Sequence, residues 1–224
     1  MMNPDPYYSR SEVSNSDLTA LKYKLYPQLN FVSDKTRQKA FRLGTLVDCF
    51  VTEPARANHY RRTVDDESYT AEEWAWGRKM LAGLRKTAKK DRFLDYVLAN
   101  AETQRWFTNP CQHFEYECFQ FDLPTRCKWD WWLGEFGGDL KTTVATTQEQ
   151  FLNCIDYFDW DRSRVFYCEL AHSLNPAWGN RDFIYGISKT NFKVFSCKIV
   201  RGDEIWERGK KKMLDLAFKM WTLT

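Results

Sequence analysis

The stretch CKWDWWLGEFGGDLKTT (127–143) decides how this 224-residue chain is read. Tryptophans dominate its first half, glycines stand at 134, 137 and 138, and it closes on Asp-Leu-Lys-Thr-Thr. Two strands joined at Gly134 and Glu135 account for the pattern, with Gly134 suited to the first position of a type II′ turn. That register sets Leu133 opposite Phe136, Trp132 opposite Gly137, Trp131 opposite Gly138, and Asp130 opposite Asp139. Directly opposed residues share a face with Cβ atoms about 4.5–5.5 Å apart. Two carboxylates so placed repel each other unless a cation lies between them.

Lys141 lies two residues beyond Asp139, so strand alternation returns it to the same face, and the Leu140 carbonyl between them can turn toward the site. Two carboxylates, a carbonyl and an ammonium suit a hard, oxygen-preferring ion such as Mg²⁺ or Mn²⁺. The competing reading is a surface hairpin with ordinary charges. The tryptophans oppose it: alternation places Trp129 and Trp131 over one face and Trp132 beside the aspartates on the other. A third carboxylate comes from the segment 33–54, which reads as a helix closed by Pro54. On a helical wheel Asp48 shares a stripe with Gly44, Phe41 and Arg37, next to Val51. Such an aspartate is either one half of an ion pair or a further metal ligand, because buried charges are paired or metal-bound.

The rest of the chain supplies the frame. Residues 14–25 begin with a capping signature, Ser14 or Ser16 ahead of Asp17, and continue as a short helix. Residues 70–106 read as one or two helices with basic outer faces. Three antiparallel strands are expected at 113–122, 125–133 and 136–144, helices at 147–157 and 160–173, then two strands meeting near Thr190. A basic amphipathic helix at 203–221 ends the chain. This order predicts an α/β (α+β) fold, a central mixed sheet flanked by helices.

A composition 43% apolar suffices for one well-cored domain, and 33 basic against 30 acidic residues leaves a net charge of +3. Nucleic-acid binding therefore has to come from local patches such as 85–92 and 208–212, either of which is alternatively a solvated helix face. No apolar run approaches the ~18 residues of a membrane span, and no leader-like apolar segment opens the chain, so a soluble intracellular protein is expected. Seven scattered cysteines without a CxxC pair suit a reducing compartment. Cys111, His113, Cys118 and Cys127 fit no common zinc spacing and read as strand residues.

The ordered set FRLGTLVDCFVTEP, CKWDWW, GGDLKTT and DRSRVFYCEL resembles the PD-(D/E)XK nucleases, in particular the phage-type exonuclease branch that includes RecE and lambda exonuclease. The resemblance implies a restriction-endonuclease-like core and one domain over 1–224, mainly helical over 1–106 and sheet-containing over 107–224. By it Asp130 and Asp139 are acidic ligands, Leu140 the carbonyl ligand, Lys141 the catalytic lysine and Asp48 a further catalytic ligand of Mg²⁺ or Mn²⁺. The family's Q-x-x-x-Y helix is altered: Ser163 stands at the glutamine and Tyr167 is retained, with Arg162 or Arg164 as substitute phosphate contacts. Ser16 matches a phosphate-touching serine, the plainer role for Ser14 or Ser16 being an N-cap; Ser14 and Arg37 complete the expected DNA-binding set. The implied activity is Mg²⁺-dependent DNA exonuclease action on duplex ends, 5′-to-3′. The implied setting is phage or prophage and cytoplasmic, with a ring-shaped homo-oligomer and a single-strand-annealing recombinase as partner. The alternatives are a catalytically silent nuclease-fold module that binds DNA or protein, and a structure-specific endonuclease of the same superfamily.

Overall fold

In the computed structural model, which describes residues 6–30, 32–57 and 69–223, the hairpin sits in the middle of a five-stranded sheet. The strands β1 (Glu102–Tyr116), β2 (Phe119–Trp132), β3 (Gly137–Thr143), β4 (Arg181–Ser188) and β5 (Val194–Val200) lie side by side in chain order. All neighbours are antiparallel except β3 and β4. A parallel pair needs a long crossover, here the helices α5 (Gln148–Tyr157) and α6 (Trp160–Leu174). Other helices among the described residues include α1 (Asn15–Leu25), α2 (Asp34–Thr52), α3 (Ala71–Ala88), α4 (Arg92–Asn100) and α7 (Glu204–Trp221). Residues 54–57 form one further helical turn, and 58–68 lie outside the described residues.

Alternation along β4 divides the interior in two. Ile184 enters a core with Val165 and Phe166 of α6 and Trp206 and Met213 of α7. Phe183, Tyr185 and Ile187 enter another with Val47 of α2, Met80 and Leu84 of α3, and Leu94 and Val97 of α4. The result is the expected α/β arrangement, a mixed sheet between helical layers.

Three expectations need correction. The helical reading of 70–106 runs too far: α3 ends at Ala88, α4 ends at Asn100 and a strand begins at Glu102, before the expected boundary at 106. The Asp91 carboxylate starts α4 by accepting the N–H groups of Phe93 and Leu94, both at 3.0 Å. Residues 113–122 are not one strand, because the chain turns at Glu117 and Cys118, with Glu117 at φ +54°. Residues 119–132 instead form one strand that passes through Pro124. It tolerates this proline because the register of β1 shifts between Asn109 and Gln112, opposite it, so no ladder bond is lost.

Third, Trp129 and Trp131 do not share a face. Trp129 packs with Trp132 in the α6–α7 core, and Trp131 lies in the other. The β1–β2 ladder has no pair at Gln104 and Asp130, and Gln104 holds φ +56°, so the alternation slips at that rung.

Ion pairs fix the start of α6 to its neighbours. Asp161, fully buried, accepts from Arg208 Nε at 2.6 Å and Lys212 Nζ at 3.0 Å, both on α7. A Cβ on Gly209 would meet the Asp161 carbonyl carbon at 2.6 Å, so the two helices cross where only glycine fits.

Gly138 is equally constrained, since a Cβ there would lie 2.0 Å from the Phe183 ring. Gly138→Ala is expected to cost about 1–3 kcal/mol through overpacking. Urea unfolding measures it as a lower midpoint, and an unchanged midpoint would mean that Phe183 has free space to retreat.

Candidate functional site

The hairpin register is as expected for three rungs and then stops. Trp131 pairs with Gly138, Trp132 with Gly137, and the Leu133 N–H donates to the Phe136 carbonyl at 2.8 Å, with Gly134 at φ +85°. Beyond them β2 and β3 part, and no backbone pair joins Asp130 to Asp139. In its place the Asp130 carboxylate accepts the Leu140 N–H at 2.8 Å. The N–H and C=O of one strand residue leave on the same side. The Leu140 carbonyl therefore looks into the same fork as Asp130.

Asp139 is buried beside this fork and held by two cations. Lys141 Nζ is 2.5 Å from one carboxylate oxygen, and Arg164 of α6 is 3.0 Å from the other. The Arg164 guanidinium also lies 3.4 Å from buried Asp182 of β4 and stacks over Tyr167 at 4.1 Å and Trp129 at 5.0 Å. These contacts are close but poorly angled: Asp139 Oδ2 and all three Arg164 nitrogens are buried without a hydrogen bond of good geometry.

The charges are strongly interdependent. Burial, then repulsion from Asp139 and Asp48, pushes the Asp130 carboxyl well above the usual range. Burial acts on Asp139 in the same sense, but Lys141 and Arg164 outweigh it and keep that carboxyl below its ordinary value. Burial works to lower the Lys141 pKa, and Asp139 and Asp130 reverse this, so the ammonium stays protonated. Asp182 is pushed up to about 7, chiefly by burial.

Asp48 reaches this group from α2. It is half-buried, and its carboxylate accepts from Thr52 Oγ1 at 3.1 Å and Gln104 Nε2 at 3.2 Å. Burial raises its pKa to about 6; Thr52 works against that and Asp139 adds to it. The expected stripe partners do not surround it. Phe41 is 66% exposed, and Arg37 bonds Asn30 and the Val32 carbonyl at the start of α2. Gln104, which composition and spacing do not single out, is the partner that orients Asp48. Its positive φ, uncommon outside glycine, is invisible in the sequence.

The residues expected to contact DNA are placed differently. Ser14 is an N-cap: its hydroxyl donates to Asp17 at 2.7 Å, in a reciprocal capping box. Ser16 is exposed in the first turn of α1. Arg162 is buried, paired with Asp159 at 3.3 Å and donating to Asn15 and Thr19 of α1. Arg164 is buried as described, so neither arginine projects outward as a substitute phosphate contact; a buried guanidinium is spent on buried acids. Ser163 is buried near the start of α6. Tyr167 stacks edge-on against Trp129 at 5.4 Å, as a core aromatic with Arg164 over its ring. In the stretch 208–212, Arg208 and Lys212 turn inward to Asp161, whereas Lys86, Lys89, Lys90 and Arg92 are exposed.

Whether a metal fits is a matter of donor chemistry. Three mutually repelling carboxylates, one bearing an oxygen with no well-angled hydrogen bond, and a carbonyl facing the fork form a hard-oxygen donor set. Among the described residues, however, no group of three or more His, Cys, Asp and Glu side chains is gathered closely enough to hold a metal ion. Lys141 occupies Asp139 instead. Nor is any helix among those residues long and apolar enough to cross a membrane.

No protein-family model and no curated protein matches this chain. A solved structure described as that of SSO0001 is similar over 80% of this chain and 75% of that one, at 11% identity and a TM-score of 0.36. A likeness at that level carries no argument about either fold or function.

The carboxylate cluster makes stability fall with rising pH when no divalent cation is present. The folded state holds the Asp48 proton up to about pH 6, whereas the ordinary value is 3.8. Folded protein therefore binds more protons between those limits, and stability is lost as pH climbs through them. Asp130, shifted the same way, extends the loss upward, while Asp139, shifted down, acts oppositely only at more acid pH. In EDTA, wild type should lose on the order of 2–3 kcal/mol relative to Asp48→Asn between pH 4 and pH 7. Urea midpoints at both pH values measure the difference. Parallel pH profiles for the two proteins would mean that Asp48 is not part of the cluster.

Proposed function

We propose that this chain is a metal-dependent DNA nuclease, an exonuclease that hydrolyses phosphodiester bonds from duplex ends. One observation carries the reading: at the fork between β2 and β3, Asp130, the Leu140 carbonyl, Asp139 and Lys141 converge, with Asp48 close enough to repel two of them. Asp48, Asp130, Asp139 and the Leu140 carbonyl would hold Mg²⁺ or Mn²⁺. When bound, the ion supplies Lewis-acid charge to the phosphate and the attacking water. Lys141, kept protonated by its carboxylate neighbours, then orients that water and neutralises charge that develops on the phosphate in the transition state. Lys141 and, from inside the protein, Arg164 keep Asp139 ionised and so available as a ligand.

A second reading has its own support. Asp139 is already neutralised by Lys141 and Arg164, and the described residues contain no preformed chelating group. This favours a nuclease-like fold that binds DNA or a partner without cutting it.

Linear duplex DNA carrying a 5′-phosphate on one strand, incubated with Mg²⁺ or with EDTA, separates the two. The nuclease reading expects Mg²⁺-dependent loss of the phosphorylated strand, which also reports the proposed 5′-to-3′ polarity, and no loss of a covalently closed circle. Lys141→Ala should slow digestion about 10²–10³-fold, and Asp139→Ala should abolish it. Folded wild type that digests nothing with Mg²⁺ or Mn²⁺ would establish the silent module, and cutting of the closed circle would indicate an endonuclease.

A further inference from the structure

We propose that the groove between α4 and the β4–β5 ladder binds a single strand of nucleic acid, with a base against Phe136 and Phe93 and phosphates on Arg181 and Lys198. The groove exists because α4, only nine residues long, leaves part of the sheet face uncovered. On that face Ser196 and Lys198 of β5, opposite Tyr185 and Phe183, remain exposed. The resulting cavity has a volume of about 320 Å³, and four of its nine lining residues are aromatic: Phe93, Phe136, Phe183 and Tyr185. That is the lower end of the range for small-ligand sites, the size of a single flat group with its immediate attachments.

Its walls combine the two features that recognise an unpaired strand, flat apolar faces and fixed cations. The Arg181 guanidinium lies over the Phe136 ring at 4.1 Å. Phe93 is 14° from parallel with Phe136 and remains 41% exposed, a large apolar ring turned toward solvent. Charge in the groove is one-sided. Asp182, the acid in its lining, is buried and paired with Arg164. Asp91 accepts the Tyr185 hydroxyl at 2.8 Å, a bond that fixes the junction of α3 and α4 at the rim. Exposed Lys89, Lys90 and Arg92 flank that junction, so the basic stretch 85–92 gains a location beside the aromatic wall. Asp95 is the exposed acid of α4 and Glu135 that of the β2–β3 turn, against the exposed cations Lys89, Lys90, Arg92, Arg181 and Lys198.

A polyanion with unstacked bases matches this surface. A fully paired duplex does not, because its bases are inaccessible to the rings. Through Asp182 and Arg164 the groove floor is also joined to Asp139 by successive ion pairs. That the strand is DNA rests on the nuclease reading; the groove's preference for an unpaired strand does not.

The test is fluorescence anisotropy of a labelled oligothymidylate of about twelve nucleotides, within the span such grooves cover. It is run in EDTA, so that loss of binding and loss of cleavage are separate results. Wild type should bind it more tightly than a duplex of equal length. Arg181→Glu combined with Lys198→Glu, both at exposed positions, should weaken binding at least tenfold. The same pair should reduce the salt dependence, log K against log salt, by about 1.4, because two phosphates are then no longer neutralised. Phe93→Ala should weaken binding about fivefold or more by removing a stacking surface. The proposal is overturned if folded wild type does not bind the oligonucleotide, or prefers the duplex, or if both variants bind like wild type. A dimer of wild type that the same substitutions dissociate, with oligonucleotide binding unchanged, would assign the groove to self-association instead.

Discussion

The buried guanidinium of Arg164 is the constraint on which the rest depends. Placing a permanent positive charge inside a protein is costly unless acids and hydrogen bonds compensate it. Here Asp139 and Asp182, from adjacent parallel strands, flank it, while Trp129 and Tyr167 present their ring faces to it. Arg164 therefore ties α6 to β3 and β4 at one point. Together with Lys141, whose effect is the larger, it also keeps Asp139 ionised although that carboxylate is buried, since burial alone would favour its protonated form. Of these two acids Asp182 is the one whose pKa moves upward, because burial there outweighs the opposing effect of Arg164.

The fork between β2 and β3 follows from this anchoring. Two strands that paired along their whole length would place Asp130 directly against Asp139 and force two buried carboxylates together. The ladder instead ends after Trp131 and Gly138, and Asp130 turns its carboxylate to the Leu140 N–H. That bond satisfies a backbone donor which the parting of the strands leaves without a ladder partner. The same rung is where Gln104 takes its positive φ and sends its side chain to Asp48 and Thr52. Backbone irregularity and the carboxylate cluster thus coincide, as they often do where strain is retained for a purpose.

Much of this is legible in the sequence, and the misses share a cause. The first three rungs of the hairpin and the nearness of Asp139 to Lys141 rest on alternation and turn chemistry, which act over two to ten residues, and the mixed sheet on the order of its elements. What alternation does not encode is its own interruption. Nothing in WDWW marks Asp130 as the rung where the period slips, so alternation sets Trp129 and Trp131 on one face although they lie in different cores. Pro124 reads as a break between strands because the irregularity that accommodates it belongs to β1, on the partner strand. Arg162 and Arg164 read as surface phosphate ligands because basic residues usually stay in water. Arg164 is buried against acids of two strands, and Arg162, beside its neighbour Asp159, is buried against Asn15 and Thr19 of α1; a single sequence does not pair residues so far apart. Gln104 carries no chemical signature at all.

The electrostatic balance of the site decides where it holds protons. Asp48, Asp130, Asp139 and Asp182 are four acids within one coupled group, and Lys141 and Arg164 are its two cations. Fully ionised, the group carries two uncompensated negative charges in a setting where water cannot screen them well. The upward shifts of Asp130, Asp48 and Asp182 mark where protons relieve that excess. One divalent cation would relieve the same excess. Lys141 is linked to Asp139 by a contact of poor hydrogen-bond angle. Two cations on one carboxylate thus serve different ends: Arg164 is built into the core and holds its place, and Lys141, about a third exposed, is the one free to yield.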